Sequence, residues 1–418
     1  MKYLFRRPKL YHFSGPALLF ISLFLSPAAI TTYAQQPRAL RVTSANIERG
    51  KQGTVAVEID AQGDENTLGF SLDFDWRRLS YVSAVMGSGI PAGSTMLLND
   101  SQNQGGRLGV AVSLPFNQSL PAGTKQVIVV TFQASPDDSA TTSVDFGDQP
   151  IPREYIRPDA STIPVGAVAL VPGTVTIFSP AVSTSAASYS TIALAPQSIA
   201  AVFGTNLASG IATAATIPLP NSLLGTTISV KDSAGVEREA GEFFVSAGQA
   251  NYEIPLGTSP GPATVTVTSA NTKMSIGTIQ VAAIAPGFFT ADSSGRGIAA
   301  AFALRVRGSQ QFIEQISQYN AATNSFDPIP IDLGPQGDQV FLIMFGTGFR
   351  FRSSESGVSV KVGGRTLQSL FSGAVQGFVG LDQLNVSALP RELAGAGIVN
   401  VEITIDGKAA NTTTVSIK

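Results

Sequence analysis

TLGFSLDFD, residues 67–75, is the stretch that decides the fold class of this chain. Its apolar residues recur at every second position, so Leu68, Phe70, Leu72 and Phe74 share one face. Because successive side chains of a strand point to opposite faces, this spacing predicts a β-strand with one buried face.

The same alternation returns along most of the chain. It is clear in GTVAVEIDA (53–61), QVIVVTFQA (126–134) and GTVTIF (173–178), and Gly, Pro, Asn or Asp bound each segment as turns require. DWRRLS (75–80) is the one segment that suggests a helical turn. Short strands without helical segments between them predict an all-β protein of antiparallel sandwiches.

The composition supports this fold class and excludes several kinds of site. The chain has 418 residues, enough for two to four domains. Charged residues are 13% of the chain, about half of the roughly 25% that is usual. There is no cysteine, which excludes disulfides, thiolate metal sites and a lipid anchor on sulfur. The domains must therefore be held together by their hydrophobic cores.

The N-terminal residues 1–34 are predicted to be a cleaved signal peptide. Four cations lie within the first nine residues, an apolar run covers 16–25, and small residues end at Ala34. The run is shorter than the roughly 20 residues of a membrane span, although an uncleaved anchor is the alternative. Cleavage predicts a secreted or outer-surface protein without membrane insertion. The remaining chain is acidic and has no basic run, so nucleic acid is excluded as a partner.

Two pieces of the chain predict an internal duplication. VFGTNLASG (202–210) and MFGTGFRFR (344–352) are each followed by an SVK strand, a Gln-x-Asn element and a Val/Thr-rich strand in the same order. Each copy spans about 80 to 100 residues, the size of an immunoglobulin-like sandwich.

Phe-Gly-Thr is interpreted as a structural turn, not as a phosphate-binding loop. A dinucleotide fingerprint needs a third glycine and a following helix, and neither copy has them. We expect Gly204 and Gly346 to supply a backbone conformation open mainly to glycine.

The repeated amide pairs are predicted to fix a turn in each copy. These pairs are Gln249 with Asn251 and Gln383 with Asn385. Amide side chains can bond the backbone of a neighbouring loop, and the alternative is that they contact a ligand.

The segment from Leu40 to Phe178 resembles a cohesin-like module. TVAVEI, GFSLDFD, GGRLGVAVS, LPAGTKQVIVVTFQA and a closing GTVTI strand occur in the order typical of such modules. Trp76 departs from the pattern, which usually has proline after the aspartate. The resemblance implies a nine-stranded jelly-roll sandwich related to carbohydrate-binding modules, with a protein or a glycan as partner.

The segment from Tyr189 to Lys418 resembles the uncharacterised C-terminal domain of many large secreted acidobacterial proteins. APQSIAAVFGTNLA, FFVSAGQANYEIP, APGFFTADSSGRG and GLDQLNV carry this likeness. Its single units are similar to IPT/TIG immunoglobulin-like domains. The resemblance implies no activity.

These patterns predict four parts of the chain. They are the signal peptide (1–34), a cohesin-like sandwich (38–178), a first immunoglobulin-like unit (179–283), and a connecting segment with a second such unit (284–418).

Most catalytic chemistry is excluded by the residues themselves. The one histidine, His12, lies in the predicted signal peptide, so Ser-His-Asp and Cys-His catalysis have no base. A glycosidase needs only two carboxylates, for which Glu253 and Asp382 are the candidates. The alternative, which we favour, is that these carboxylates are solvated or cap backbone amides.

Two binding sites remain as candidates. DAQGDEN (60–66) groups oxygen ligands in one loop, so Asp60 and Asp64 could hold Ca²⁺, the one cofactor considered. The alternative is that this loop is an ordinary hairpin turn. Trp76 and Tyr81 could present rings to a sugar. The alternative for Trp76 is that its ring packs over the edge of its own sandwich.

The sequence therefore predicts a secreted, non-catalytic protein. The leading hypothesis is adhesion or scaffolding through a protein or glycan contact of the cohesin-like module. The alternative is carbohydrate binding that supports extracellular polysaccharide breakdown, and a carboxylate enzyme is the third possibility.

Overall fold

A computed structural model describes residues 37–137 and 139–418, so the predicted signal peptide lies outside the described residues. These residues form β-strands joined by turns, which confirms the all-β prediction. The helical residues lie in four short 3₁₀ helices, at Asn103–Gly105, Val165–Ala167, Glu355–Gly357 and Arg391–Leu393. In the described part of the chain, no helix has the length and apolar character needed to cross a membrane.

The first unit is a sandwich that encloses a core running from Leu40 to Ile177. Its strands are β1 (Ala39–Val42), β2 (Ala45–Glu48), β3 (Gln52–Ala61), β4 (Thr67–Phe74), β5 (Leu79–Met86), β6 (Thr95–Asn99), β7 (Arg107–Ser113), β8 (Gly123–Ala134), β9 (Thr141–Gly147), β10 (Glu154–Ile156), β11 (Thr162–Ile163), β12 (Ala169–Val171) and β13 (Gly173–Pro180).

One layer of this sandwich has the order β12-β1-β3-β8-β5, and the other runs β11-β10-β4-β9-β13 with β7 and β6 added beside β4. The strand predicted at the outset is β4, and its four apolar residues are buried. The resemblance implied nine strands, and the unit has more because β2, β10, β11 and β12 are short additions at the margins.

The second unit has its own core, from Ala181 to Val281. Its strands are β14 (Val182–Ser185), β15 (Ile199–Phe203), β16 (Ala212–Thr213), β17 (Thr227–Lys231), β18 (Glu237–Glu239), β19 (Glu242–Val245), β20 (Gln249–Glu253), β21 (Gly261–Thr268) and β22 (Met274–Val281). The layers are β14-β15-β20-β19-β16 and β22-β21-β17-β18.

The third unit has a core from Ile284 to Ile417. Its strands are β23 (Gly287–Phe288), β24 (Ala301–Arg307), β25 (Gln310–Gln315), β26 (Ser317–Asn320), β27 (Ser325–Pro328), β28 (Asp338–Thr347), β29 (Val358–Val362), β30 (Arg365–Leu367), β31 (Ser369–Ala374), β32 (Asp382–Val386), β33 (Gly397–Ile405), β34 (Lys408–Ala409) and β35 (Thr413–Ile417). One layer has the order β25-β24-β28-β32-β31, the other joins β30, β29, β33 and β35, and β26 and β27 form a separate hairpin.

A single strand, β13, serves both the first and the second unit. Its N-terminal half pairs with β9 of the first unit, and Ser179 and Pro180 pair in parallel with Ser275 and Ile276 of β22. The sheets of the two units are therefore continuous across the position where the sequence suggests a boundary. Hydrogen bonds of this kind leave less freedom at the junction than a flexible linker would.

The second and third units repeat one arrangement of strands. In the second, β15 pairs with β20 and β17 with β21; in the third, β28 pairs with β32 and β29 with β33. Phe203 lies opposite Gln249, and Phe345 lies opposite Gln383. The register supports an internal duplication.

The prediction that the glycines of Phe-Gly-Thr supply a backbone conformation open mainly to glycine is wrong. Neither Gly204 nor Gly346 has a positive φ, whereas Asn206 (φ 55°) and Gly348 (φ 83°), two residues further on, do. The need for glycine is instead steric. A Cβ on Gly204 would lie 2.8 Å from the Leu207 side chain.

We expect Gly346→Ala to destabilise the protein by about 1 to 3 kcal/mol, the usual cost of an overpacked core. A Cβ there would lie 2.8 Å from Cε1 of Phe349 and closer still to the carbonyl oxygen of Gly287. Thermal unfolding measures the effect. Gly337→Ala is the matched control, because no heavy atom lies within 4 Å of its added Cβ. Equal midpoints of thermal unfolding for the two variants would show that the close packing of Gly346 against Phe349 and Gly287 is not needed.

Candidate functional site

The outer face of the first unit's β5–β8–β3 sheet is the candidate binding surface. β8 lies between the other two strands. Its alternate residues Val130, Phe132 and Ala134 are fully buried in the core, so the residues between them face outward.

Three rows of outward residues cross the sheet. The pairing places Val85 beside Val129 and Val129 beside Ala56. Two further rows follow the same registers: Ser83–Thr131–Thr54 and Ser80–Gln133–Gln52. These nine residues are named the β5–β8–β3 face, and all of them are uncharged.

The β5–β8–β3 face ends in a strand whose outer edge has no partner strand in the described part of the chain. β5 is the last strand of its sheet and pairs with β8 alone. A bulge at Val82 shifts its register, and Val82, Val85 and Met86 are exposed, Val85 to 57%. An unpaired edge of this kind can accept a strand from a partner, while the apolar side chains beside it add contact area.

Charged side chains border the far side of this surface. Both Nη atoms of Arg41 donate to the Asp60 carboxylate, and the Thr124 hydroxyl donates to it over 2.7 Å. The bond from Arg41 holds the pKa of Asp60 below its usual value. Arg41 and Asp60 are therefore both charged at neutral pH, and this ion pair lies beside the uncharged rows.

The predicted calcium residues are engaged by arginines. Asp64 accepts from Arg38 and, over 2.9 Å, from Nε of Arg157. Among the described residues, no three or more acidic, His or Cys side chains form a cluster suited to a metal ion. The loop is also not the hairpin turn offered as the alternative. It links β3 in one layer to β4 in the other.

The predicted sugar-binding rings lie in different environments. Trp76 lies in the turn after β4, is 48% exposed, and has the Arg77 guanidinium 5.0 Å from its ring centroid. Tyr81 is half-buried on β5 and packs against the core. Burial, and secondarily the charge of Asp100, raises the pKa of its hydroxyl. Trp76 therefore offers more ring surface than Tyr81.

The carboxylates considered for hydrolysis lie near one arginine, at the contact of the second and third units. Asp382 is fully buried and accepts from Nε of Arg350 over 2.8 Å. Glu253 is half-buried, and burial raises its pKa against the opposing charge of Arg350. Burial also raises the pKa of Asp382.

This carboxylate–arginine group belongs to an inter-unit contact. The backbone N–H of Ile199 donates to Oγ1 of Thr347 over 2.8 Å, and that hydroxyl donates to the Gly380 carbonyl over 2.7 Å. These two bonds join Ile199 of the second unit to the third unit, whereas Asp382 and Arg350 pair within the third unit.

The repeated amide pairs lie in strands rather than in the turns expected of them. Gln249 and Asn251 are in β20, and Gln383 and Asn385 are in β32. In each copy the Gln Nε2 donates to the Asn Oδ1, over 2.8 and 2.7 Å. Residues two apart on a strand share a face, so the i, i+2 spacing is the sequence signal for this bond.

Val82, Val85 and Met86 are not among the residues predicted from the sequence to form a site. The available signal was a break in alternation. YVSAVM (81–86) has adjacent apolar residues at both ends, so they cannot all face the core.

Solved structures that resemble this chain do so over about a third of its length, with 34% of it covered. No family model matches the chain, and no curated protein matches it either. Among solved structures, it is similar to a non-cellulosomal cohesin from Archaeoglobus fulgidus, with 17% identity, 34% of this chain and 90% of that one covered, and a TM-score of 0.28.

Two further similar structures are cohesins. One is the seventh ScaB type I cohesin from Pseudobacteroides cellulosolvens, with 14% identity, coverage of 34% of this chain and 91% of that one, and a TM-score of 0.30. The other is a type I cohesin–dockerin complex from Clostridium thermocellum, with 11% identity, 34% and 99% coverage, and a TM-score of 0.30. These three similar structures contain cohesins.

Proposed function

We propose that this chain is a secreted, non-catalytic binding protein that docks an extracellular protein through the β5–β8–β3 face. The observation that carries the proposal is an uncharged sheet surface that ends in the open edge of β5. Export is supported by the leader pattern of residues 1–34.

The surface suits a protein better than a small molecule. It is the outer side of a sheet with the short side chains of Ala56, Thr131 and Val129, whereas small-molecule sites are normally concave. Association with a protein there buries Val82 and Val85 and leaves charged pairs such as Arg41–Asp60 at the rim. Interfaces with an uncharged centre and a polar rim have this composition.

The sequence resemblance to cohesin-like modules suggests a dockerin-like partner. The type I complex from Clostridium thermocellum is described as a cohesin bound to a dockerin. A scaffolding or adhesive role at the cell surface is consistent with a partner of this class, and the second and third units then hold the first away from the surface to which the chain is attached.

We expect Val85→Glu to weaken binding of a dockerin module about 100-fold, because a carboxylate would be buried without a partner at the interface. Titration calorimetry of the mature chain against a panel of dockerin modules measures this. Leu97→Glu is the control. Leu97 is 64% exposed on β6 of the other layer, so this change adds the same charge outside the face. Equal loss in both variants would place the interface elsewhere.

Carbohydrate binding by the first unit is the alternative function, and the exposure of Trp76 favours it. If insoluble polysaccharide retains the mature chain, and Trp76→Ala abolishes retention while Val85→Glu preserves it, the ligand of this unit is a glycan. If Trp76→Ala has no effect, Trp76 is not the platform.

A further inference from the structure

An aromatic cleft of about 400 Å³ lies in the third unit, away from the β5–β8–β3 face. Its walls are strands β24 and β28 on one side and the β26–β27 hairpin on the other. Four rings line it, those of Phe302, Phe345, Tyr319 and Phe326. Tyr319 is 56% exposed and Phe302 is 38% exposed, so both rings can be reached from solvent.

The rings are held in place by one another. Phe302 meets Phe345 edge to face at 5.9 Å between centroids, and Tyr319 meets Phe326 at 5.6 Å. The Tyr319 hydroxyl also donates to Oδ1 of Asn324 over 2.7 Å. Rings fixed in this way lose little conformational entropy when a ligand stacks on them.

The polar groups of the cleft are all neutral. They are contributed by Gln315, Ser317 and Gln318, and every other residue that lines the cleft is alanine, isoleucine or aromatic. Amides and hydroxyls both donate and accept hydrogen bonds, so they can pair with hydroxyl groups of a ligand. An ionic ligand would find no opposite charge in this lining to offset its desolvation.

The duplication shows that this cleft is an addition to the repeated unit. β24 occupies the place beside β28 that β14 occupies beside β15 in the second unit. β14 ends its sheet, whereas the third unit adds β25 and the β26–β27 hairpin. Two of the four rings, those of Tyr319 and Phe326, come from this added part. Insertions in a repeated unit commonly form its binding face.

We propose that the cleft binds a neutral polysaccharide chain. The apolar face of a pyranose stacks on Tyr319 and Phe302, while its hydroxyl groups pair with Gln315 and Gln318. The proposal goes beyond the docking function of the first unit, because it assigns a second ligand class to a different unit.

Native affinity electrophoresis in gels that contain hydroxyethylcellulose, xyloglucan or galactomannan tests the proposal on the mature chain. We expect at least one of these neutral polymers to retard the protein. Tyr319→Ala and Phe302→Ala should each weaken the retardation roughly tenfold, since a stacked ring is lost. Polygalacturonate, a charged polymer, should retard neither the parent nor the variants.

Phe116→Ala is the matched control, because it removes a ring that is 93% exposed in the first unit. Thermal unfolding checks that each variant is folded. If Phe302→Ala does not fold, the retardation of Tyr319→Ala alone tests the proposal. The proposal is overturned if none of the neutral polymers retards the parent, if both cleft variants keep full retardation, or if polygalacturonate retards the parent equally. Val85→Glu should leave the retardation unchanged, which separates this site from the docking face.

Discussion

Ionisation of one buried carboxyl should by itself lower the free energy of unfolding by several kcal/mol as the pH rises from about 4.5 to 8. Glu242 begins β19 and its side chain is fully buried. Oε2 accepts from the Leu223 N–H over 2.9 Å, while Oε1 has no hydrogen-bond partner within residues 37–137 and 139–418. Burial raises the pKa of Glu242 to about 8.

The direction of the effect follows from proton binding in the two states. Below about pH 4.5 the carboxyl is protonated both folded and unfolded, so it adds no pH dependence. Between pH 4.5 and 8 the unfolded chain ionises while the folded chain keeps its proton, so stability falls by up to roughly 1.4 kcal/mol per pH unit. Above pH 8 both states are ionised and the loss levels off.

Urea unfolding at a series of pH values measures this slope, and Glu242→Gln is the decisive variant. Glutamine keeps an oxygen for the Leu223 N–H and cannot ionise, so we expect the variant to be more stable than the parent at pH 8. Asp148 and Asp338 have pKa values lowered to about 2 and titrate outside this range. The same slope in parent and variant would mean that Glu242 is not the group responsible.

Replacement of Asp382 by alanine should destabilise the chain by about 3 to 5 kcal/mol, the usual cost of removing one partner of a buried ion pair. The Arg350 side chain is 10% exposed and would lose its carboxylate. The N–H groups of Phe349 and Arg350 donate to the same carboxylate, over 2.8 and 3.1 Å, and would lose their acceptor.

Asp332→Ala is the control for this prediction, because Asp332 pairs with Lys418 at the surface, where ion pairs contribute little. Its unfolding midpoint should stay close to that of the parent. Asp382→Leu combined with Arg350→Met should recover part of the loss, since it removes the unpaired guanidinium but restores no acceptor for the two N–H groups. A mild effect of Asp382→Ala alone, equal to that of Asp332→Ala, would contradict the prediction.

The candidate site illustrates what could be predicted from local pattern. The strands β3, β4 and β8 follow from alternation, because a half-buried strand needs apolar residues at every second position. The β5–β8–β3 face did not follow, since its rows depend on the bulges at Val82 and at β3–β8, which set the register between strands far apart in sequence. Asp60 shows the same limit. Its partner Arg41 is on a different strand, so the composition of the loop left Ca²⁺ as a candidate ligand of Asp60.

The sequence by itself determined the all-β class, the repeat of Phe-Gly-Thr and Gln-x-Asn elements, and the lack of histidine and cysteine after residue 34. These are properties of residue identity and spacing, and no long-range contact is needed to establish them. Only the tertiary structure decided that β13 joins two units, that Glu242 faces a core, and that the β26–β27 hairpin closes an aromatic cleft. The reason is that pairing partners and side-chain environments are set by segments distant in the chain, whose register one strand's alternation does not specify.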